Sequence, residues 1–302
     1  MKQSSLIRAA VLMAVSCGAG SALAVDMAAS PTLSKIKSSG TISIGHRTSS
    51  IPFSYYDANQ KVIGFSQDIC DHVIDAVKKE TGTPNLQVRM VPVTSQNRQS
   101  LVQNGTVDLE CGVTTNLKSR QQQVAFSTTF FVAGTRLLVK KGSPIHDFGD
   151  LSGKAVVTNA GTTSERILRK LNDEKGANIT IQSGKDYGES FLILQSGRVA
   201  AFMMDDVLLS GARMLAPKPD EWVVVGTPQS FEAYGFMMRK DDPGFKQLVN
   251  NAMTGLMRSG EINTLYTKWF LKPVPPKNIS FDLPQSEQIK KAYANPNDEA
   301  FE

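Results

Sequence analysis

Between residues 41 and 225 the chain alternates short apolar runs with amphipathic ones, and that alternation limits the fold more than any other feature. Residues 41–44, 86–93, 107–111, 154–159, 179–182, 199–204 and 222–225 read as strands. Ile69, Cys70, Val73, Ile74 and Val77 recur at the spacing of one helix face, and Lys78, Lys79 and Glu80 close that helix before Gly82. Strands alternating with helices predict an α/β fold of parallel βαβ units, whose ligand-facing loops lie at the carboxyl ends of the strands. His46-Arg47, the stretch from Ser95 to Arg98, and the stretch from Gly112 to Arg120 all fall at such ends, so three cationic loops share one rim.

The third of these loops is electrostatically odd. The sequence VDLECGVTTNLKSR, from Val107 to Arg120, predicts a strand over 107–111 that breaks at Gly112 and enters a helix capped by Asn116 or Thr115. Lys118 and Arg120 then sit in a first turn, where the macrodipole disfavours cations by about 0.3–1 kcal/mol each. They are either solvated side chains that tolerate this, or part of a site where hydroxyls, backbone donors and a forked guanidinium meet a carboxylate.

The second half repeats the pattern. Residues 136–140 read as a crossing strand and 142–153 as a loop. Thr162 and Glu165 fit a capping box at the start of a helix whose first-turn N–H groups remain available to an anion. The strand over 199–204 delivers Asp205-Asp206; Asp206 is the expected helix cap and Asp205 the acid that faces the cleft. Residues 233–239 cross back, Asp242-Pro243 opens a helix that Gly260 ends, and the polar tail over 274–302 is expected on the surface.

With 302 residues the chain has room for two domains. Lys2 and Arg8, an apolar run over 9–15 and the terminal Ala22-Leu23-Ala24 form a secretory leader over 1–24, too short to span a bilayer. A lipoprotein site at Cys17 is weaker, since Ala14 stands where Leu is usual. Export leaves Cys70 and Cys111, which form one disulfide or remain two core thiols. The net charge of +5 falls to +3 without the two leader cations, and basic residues form no run of five, which excludes a nucleic-acid patch.

Catalytic and metal motifs are absent, and His46, His72 and His146 lack ligand spacing, so no cofactor is implied. The inventory suits binding. Arg120 with Thr115 and the N–H groups at Thr163 would hold one carboxylate and Asp205 an ammonium, which together describe an α-amino acid. Arg47 and Arg98 are then surplus cations, costly in a closed cleft unless an acidic ligand side chain enters.

At these residues the chain resembles the periplasmic solute-binding proteins of the polar amino acid family, in particular glutamate/aspartate-binding proteins that feed ABC transporters. GHRTSSIPFSYYD from Gly45, VTSQNRQSLVQNGTVDLECG from Val93, FFVAGTRLLVKKG from Phe130, AGTTSE from Ala160, AFMMDD from Ala201 and KWFLKPVPPKN from Lys268 carry the likeness. The resemblance implies a two-lobed, type II periplasmic-binding-protein fold with mixed, mostly parallel sheets and a two-strand hinge. Residues 25–134 and 236–302 would form lobe 1, and 135–235 lobe 2. It further implies a periplasmic monomer that captures L-glutamate or L-aspartate and delivers it to an inner-membrane ABC permease.

By the same resemblance Arg120, Thr115 and Thr163 receive the α-carboxylate, Asp205 the ammonium, and Arg47, Ser95 and Arg98 the side-chain carboxylate. Val113 stands where such proteins have Ser, leaving its carbonyl to meet the ammonium, and Tyr187 where they have His. A phenol donates one hydrogen bond but carries no positive charge. Two rivals are an enzyme on the same fold, dehydratase-like and acting on a small carboxylated substrate, and a receptor's sensor lobe. The enzyme would need a second titratable acid, for which Glu110 is the candidate, its facing left open by the alternation.

Overall fold

The computed structural model describes residues 30–300; the leader expected over 1–24 and the alternative site at Cys17 lie outside them. The chain opens with helix α1 (Pro31–Ser39), where the sequence reading expected only a polar lead-in. Ser30 accepts from the Leu33 N–H, Pro31 occupies the first turn, and Gly40 closes the helix at φ 64°. Strand β1 (Thr41–His46) follows, then a small antiparallel sheet of β2 (Ser49–Ser50), β3 (Ser54–Tyr56) and β4 (Val62–Ile63).

Next come α2 (Phe65–Thr81), β5 (Gln87–Pro92), α3 (Arg98–Gln103), β6 (Leu109–Thr115), α4 (Lys118–Gln121), β7 (Val124–Phe126) and the long β8 (Phe131–Lys140). The second half holds β9 (Ala155–Asn159), α5 (Thr163–Lys175), β10 (Thr180–Gly184), α6 (Tyr187–Gln195), β11 (Ala201–Asp205), α7 (Asp206–Leu215) and β12 (Trp222–Val225). Strand β13 (Phe231–Arg239) returns, followed by α8 (Pro243–Arg258), α9 (Glu261–Phe270) and α10 (Glu287–Ala294).

The strand order is β10-β9-β11-β8-β13-β6-β1-β5, with β12 against β8 and β7 against β13. β1 pairs in parallel with β5 and β6, and β9 with β10 and β11, as the βαβ pattern requires. Among the described residues the two parallel sets are joined in the sheet through the antiparallel strands β8 and β13, which pair over Phe131↔Tyr234 to Gly134↔Phe231. This is the two-lobed fold with a two-strand hinge.

An aromatic cluster fills the space beside the crossing: Phe131 lies 4.9 Å from Phe53 and 5.1 Å from Phe270 between ring centroids, and Tyr266 stacks on Phe270 at 4.4 Å. A separate apolar core in the second lobe packs Leu137, Val139, Leu151, Val156, Leu168 and Met203.

Three expectations need correction. β6 does not break at Gly112 but pairs with β13 as far as Thr115, with a register shift opposite Gly235 to Met237. Gly112 permits this, since a Cβ there would fall 2.1 Å from Glu110 Oε1. α4 is a single four-residue turn behind Leu117 with no side-chain cap, so the macrodipole argument about its cations has little helix to act on. The tail is not merely a surface cover: α10 buries Ile289 and Tyr293, whose hydroxyl donates to the Phe130 carbonyl at 3.0 Å.

Cys70 and Cys111 form a disulfide that ties α2 to β6, with Cα atoms 6.0 Å apart. Closing a loop of this length is worth about 4 kcal/mol in the chain-entropy model. The double variant Cys70→Ser/Cys111→Ser is expected to lose that much stability in urea titrations, and an unchanged midpoint would contradict a structural role.

Candidate functional site

All nine residues named from the sequence gather at the strand crossing. Arg47 follows β1, Ser95 precedes α3, Arg98 opens α3, and Val113 and Thr115 lie on β6. Arg120 is in α4, Thr163 opens α5, Tyr187 opens α6, and Asp205 ends β11. The lobes face each other closely here. Gly161, at φ 77°, has room for no Cβ because one would meet Ser95 O and Gln96 Cα at 2.8 Å from the opposite lobe. Arg120 bridges the same gap, donating to Thr115 O at 2.9 Å and to Gly161 O at 3.3 Å.

The cations are deeply placed. Arg47 is 2% exposed, with its guanidinium 5.1 Å from the centroid of the Tyr187 ring across the cleft. Arg98 is buried and donates to Val113 O at 3.0 Å, so the carbonyl expected to meet an ammonium already serves a guanidinium. Burial pushes the Arg98 pKa down, with Glu110 opposing and Arg47 adding to the fall. Arg120 is half-buried; desolvation, then the charge of Arg98, presses its pKa down to about 9, with Glu232 opposing the fall. Arg47 Nη1 and Ser95 Oγ are buried donors with no hydrogen-bond partner. Buried polar atoms are normally paired, so these two mark where a ligand's acceptor would go.

The charge of the first loop comes from Arg47 and not from His46. It is 1% exposed, and burial lowers its pKa, which favours the neutral ring.

The acids are more numerous than the sequence reading allowed. Asp205 is buried; Tyr234 donates to its Oδ2, and Thr135 Oγ1 lies 3.3 Å from its Oδ1. Burial, then the nearby Glu232 carboxylate, pushes its pKa well up. Asp206 takes the Val207 N–H at 2.7 Å and the Gly134 N–H at 3.3 Å, tying the start of α7 to β8.

Glu232 is 1% exposed and accepts from Thr115 Oγ1 at 2.5 Å and Thr163 Oγ1 at 2.7 Å. Glu110, fully buried, takes the Thr114 hydroxyl at 2.8 Å and leaves Oε1 unpartnered. Three guanidinia therefore face three acids rather than one. Glu232 and Tyr234 were missed because they lie inside the crossing strand, where alternation marks them only as inward-facing. Among the described residues no group of acids, histidines or cysteines is arranged to hold a metal.

The sequence pattern of the bacterial extracellular solute-binding proteins, family 3, matches residues 42–272. The chain belongs to this family. A glutamate/aspartate import solute-binding protein of Escherichia coli (strain K12) is 53% identical over 97% of this chain and 98% of its own. An L-glutamate/L-aspartate-binding protein of Pseudomonas aeruginosa is 56% identical over 90% of each. Among solved structures, a solute receptor for L-cysteine of Neisseria gonorrhoeae covers 83% of this chain and 97% of its own with TM-score 0.70 and 25% identity. An ancestral amino acid-binding protein, a precursor of cyclohexadienyl dehydratase, covers 79% and 98% with TM-score 0.69 and 29% identity. The chain thus aligns over nearly its full length with the two sequence relatives and shares its fold with the two solved structures.

In this family 3 protein Asp205 is held at a cost to stability. Its raised pKa means that the folded state favours the neutral carboxyl, so its contribution is retained at acid pH and lost as pH rises through the folded value. Asp205→Asn is therefore expected to raise the melting temperature of the ligand-free protein at alkaline pH, with the gain shrinking towards acid pH. A pH-independent difference in thermal melts would contradict the buried-charge reading.

Proposed function

We propose that the protein captures L-glutamate or L-aspartate between its lobes and presents it to an inner-membrane ABC permease. The observation that carries this reading is the pair of unpartnered buried donors, Arg47 Nη1 and Ser95 Oγ, beside Arg98. They call for a second carboxylate beyond the one that Arg120 would take. Asp205 supplies the counter-charge for an ammonium, and the Tyr187 ring covers Arg47 from the other lobe. The glutamate/aspartate import role of the Escherichia coli relative and the L-glutamate/L-aspartate binding of the Pseudomonas aeruginosa relative support the same assignment. An enzyme on this fold draws no comparable support.

In this reading the α-carboxylate meets Arg120 at the place where Thr115 and Thr163 face each other across the cleft, and the side-chain carboxylate meets Arg47, Ser95 and Arg98. Val113 shapes the wall between them while its carbonyl steadies Arg98. Residues 25–134 and 236–302 act as one lobe and 135–235 as the other, closing as a monomer about the crossing strands. The leader over 1–24 directs export to the periplasm and is removed. No cofactor enters, and nucleic acid is not a partner.

Isothermal titration tests this directly: L-glutamate is expected to bind one-to-one, and failure of every amino acid to bind would overturn it. Arg98→Ala should weaken L-glutamate far more than L-glutamine; equal losses would remove Arg98 from the side-chain subsite. Arg120→Ala should weaken both, since truncating one partner of a charge pair that the ligand desolvates costs roughly 2–5 kcal/mol.

A further inference from the structure

Glu232 gathers hydroxyls from both lobes. Its Oε2 accepts from Thr115 at the end of β6 and from Thr163 at the start of α5, while Ser230 donates to Oε1 and Thr135 Oγ1 lies 3.4 Å from it. A hydroxyl has one proton and two lone pairs. With both protons directed at Glu232, the Thr115 and Thr163 oxygens present lone pairs to the rest of the site. Lone pairs accept from an ammonium and repel a carboxylate. Asp205 adjoins the same acceptors, because Thr135 Oγ1 stands 3.3 Å from Asp205 Oδ1 as well as beside Glu232.

We propose that Glu232 is a positioning residue that holds the hydroxyl protons of Thr115 and Thr163, so that both oxygens accept from the ligand's α-ammonium alongside Asp205. The α-carboxylate then rests on Arg120 and on backbone N–H groups at the start of α5, with no hydroxyl proton committed to it. This deepens the amino acid reading and rests on it. It also makes the site selective for a cationic nitrogen beside the carboxylate, because a plain dicarboxylate brings no donor to a set of acceptors and acids. Glu232→Gln keeps the size but replaces one of the two acceptor oxygens with an NH2 donor, and with that donor at the threonines their hydroxyls turn their protons towards the ligand.

The test compares L-glutamate with glutarate, the same dicarboxylate without the amine, by isothermal titration of the full chain. Glu232→Gln is expected to weaken L-glutamate about tenfold, the scale of a lost charge-assisted hydrogen bond, while leaving glutarate unchanged or tighter. Thr115→Val, which deletes one of the oriented hydroxyls, should lower the same ratio, and combining the two should cost less than the product of the single effects. Equal changes for both ligands, or none, would overturn the role of Glu232. If Glu232→Gln does not fold, the glutamate-to-glutarate ratio of Thr115→Val decides. A wild-type protein that binds no amino acid removes the underlying reading; one that binds L-glutamate with an unmoved ratio in the variants removes only this inference.

Discussion

The antiparallel pairing of β8 with β13, from Phe131↔Tyr234 to Gly134↔Phe231, is the constraint on which the rest depends. Each strand continues into a different lobe, β8 beside β11 and β13 beside β6, so four residue pairs connect two sheets. The same short segment supplies site chemistry: Tyr234 holds Asp205, Thr135 lies between Asp205 and Glu232, and Glu232 reaches Thr115 and Thr163. Phe131 on its other side is packed among Phe53, Tyr234 and Phe270. A well-packed aromatic cluster thus holds the backbone from which the polar groups project.

That support matters because the site is expensive in electrostatic terms. Three guanidinia and three carboxyls share the cleft, and desolvation lowers the pKa of Arg98 and Arg120 and raises that of Asp205. Unpartnered donors on Arg47 and Ser95 add to the cost. A ligand bearing two carboxylates and one ammonium relieves all of these at once, which is how differential binding energy arises between empty and filled forms.

The fold was largely legible in the sequence, since strand and helix periods are local properties. The rim residues were legible too: a loop after a strand places its cations predictably. What could not be read were pairings over long separations. Nothing local distinguishes Glu232 from any other inward residue of a strand, and its partners Thr115 and Thr163 lie 117 and 69 residues away. Glu110 was visible, but its face was undecidable until the continuation of β6 through Gly112 placed it beneath the arginines. For the same reason Arg47 and Arg98 read as surplus charge in the sequence and as partly balanced charge in the fold. The union of Cys70 with Cys111, left open by two cysteines alone, needed α2 packed on β6 to become visible.

The central claim is that the unpartnered donors on Arg47 and Ser95 are completed by the side-chain carboxylate of an acidic amino acid. A crystal structure of the protein with L-glutamate measures this most directly. The expected result is that carboxylate within hydrogen-bond distance of Arg47 Nη1 and Ser95 Oγ, beside Arg98. Glutamate seated with its side-chain carboxylate elsewhere, and those two donors still unpaired, would contradict it.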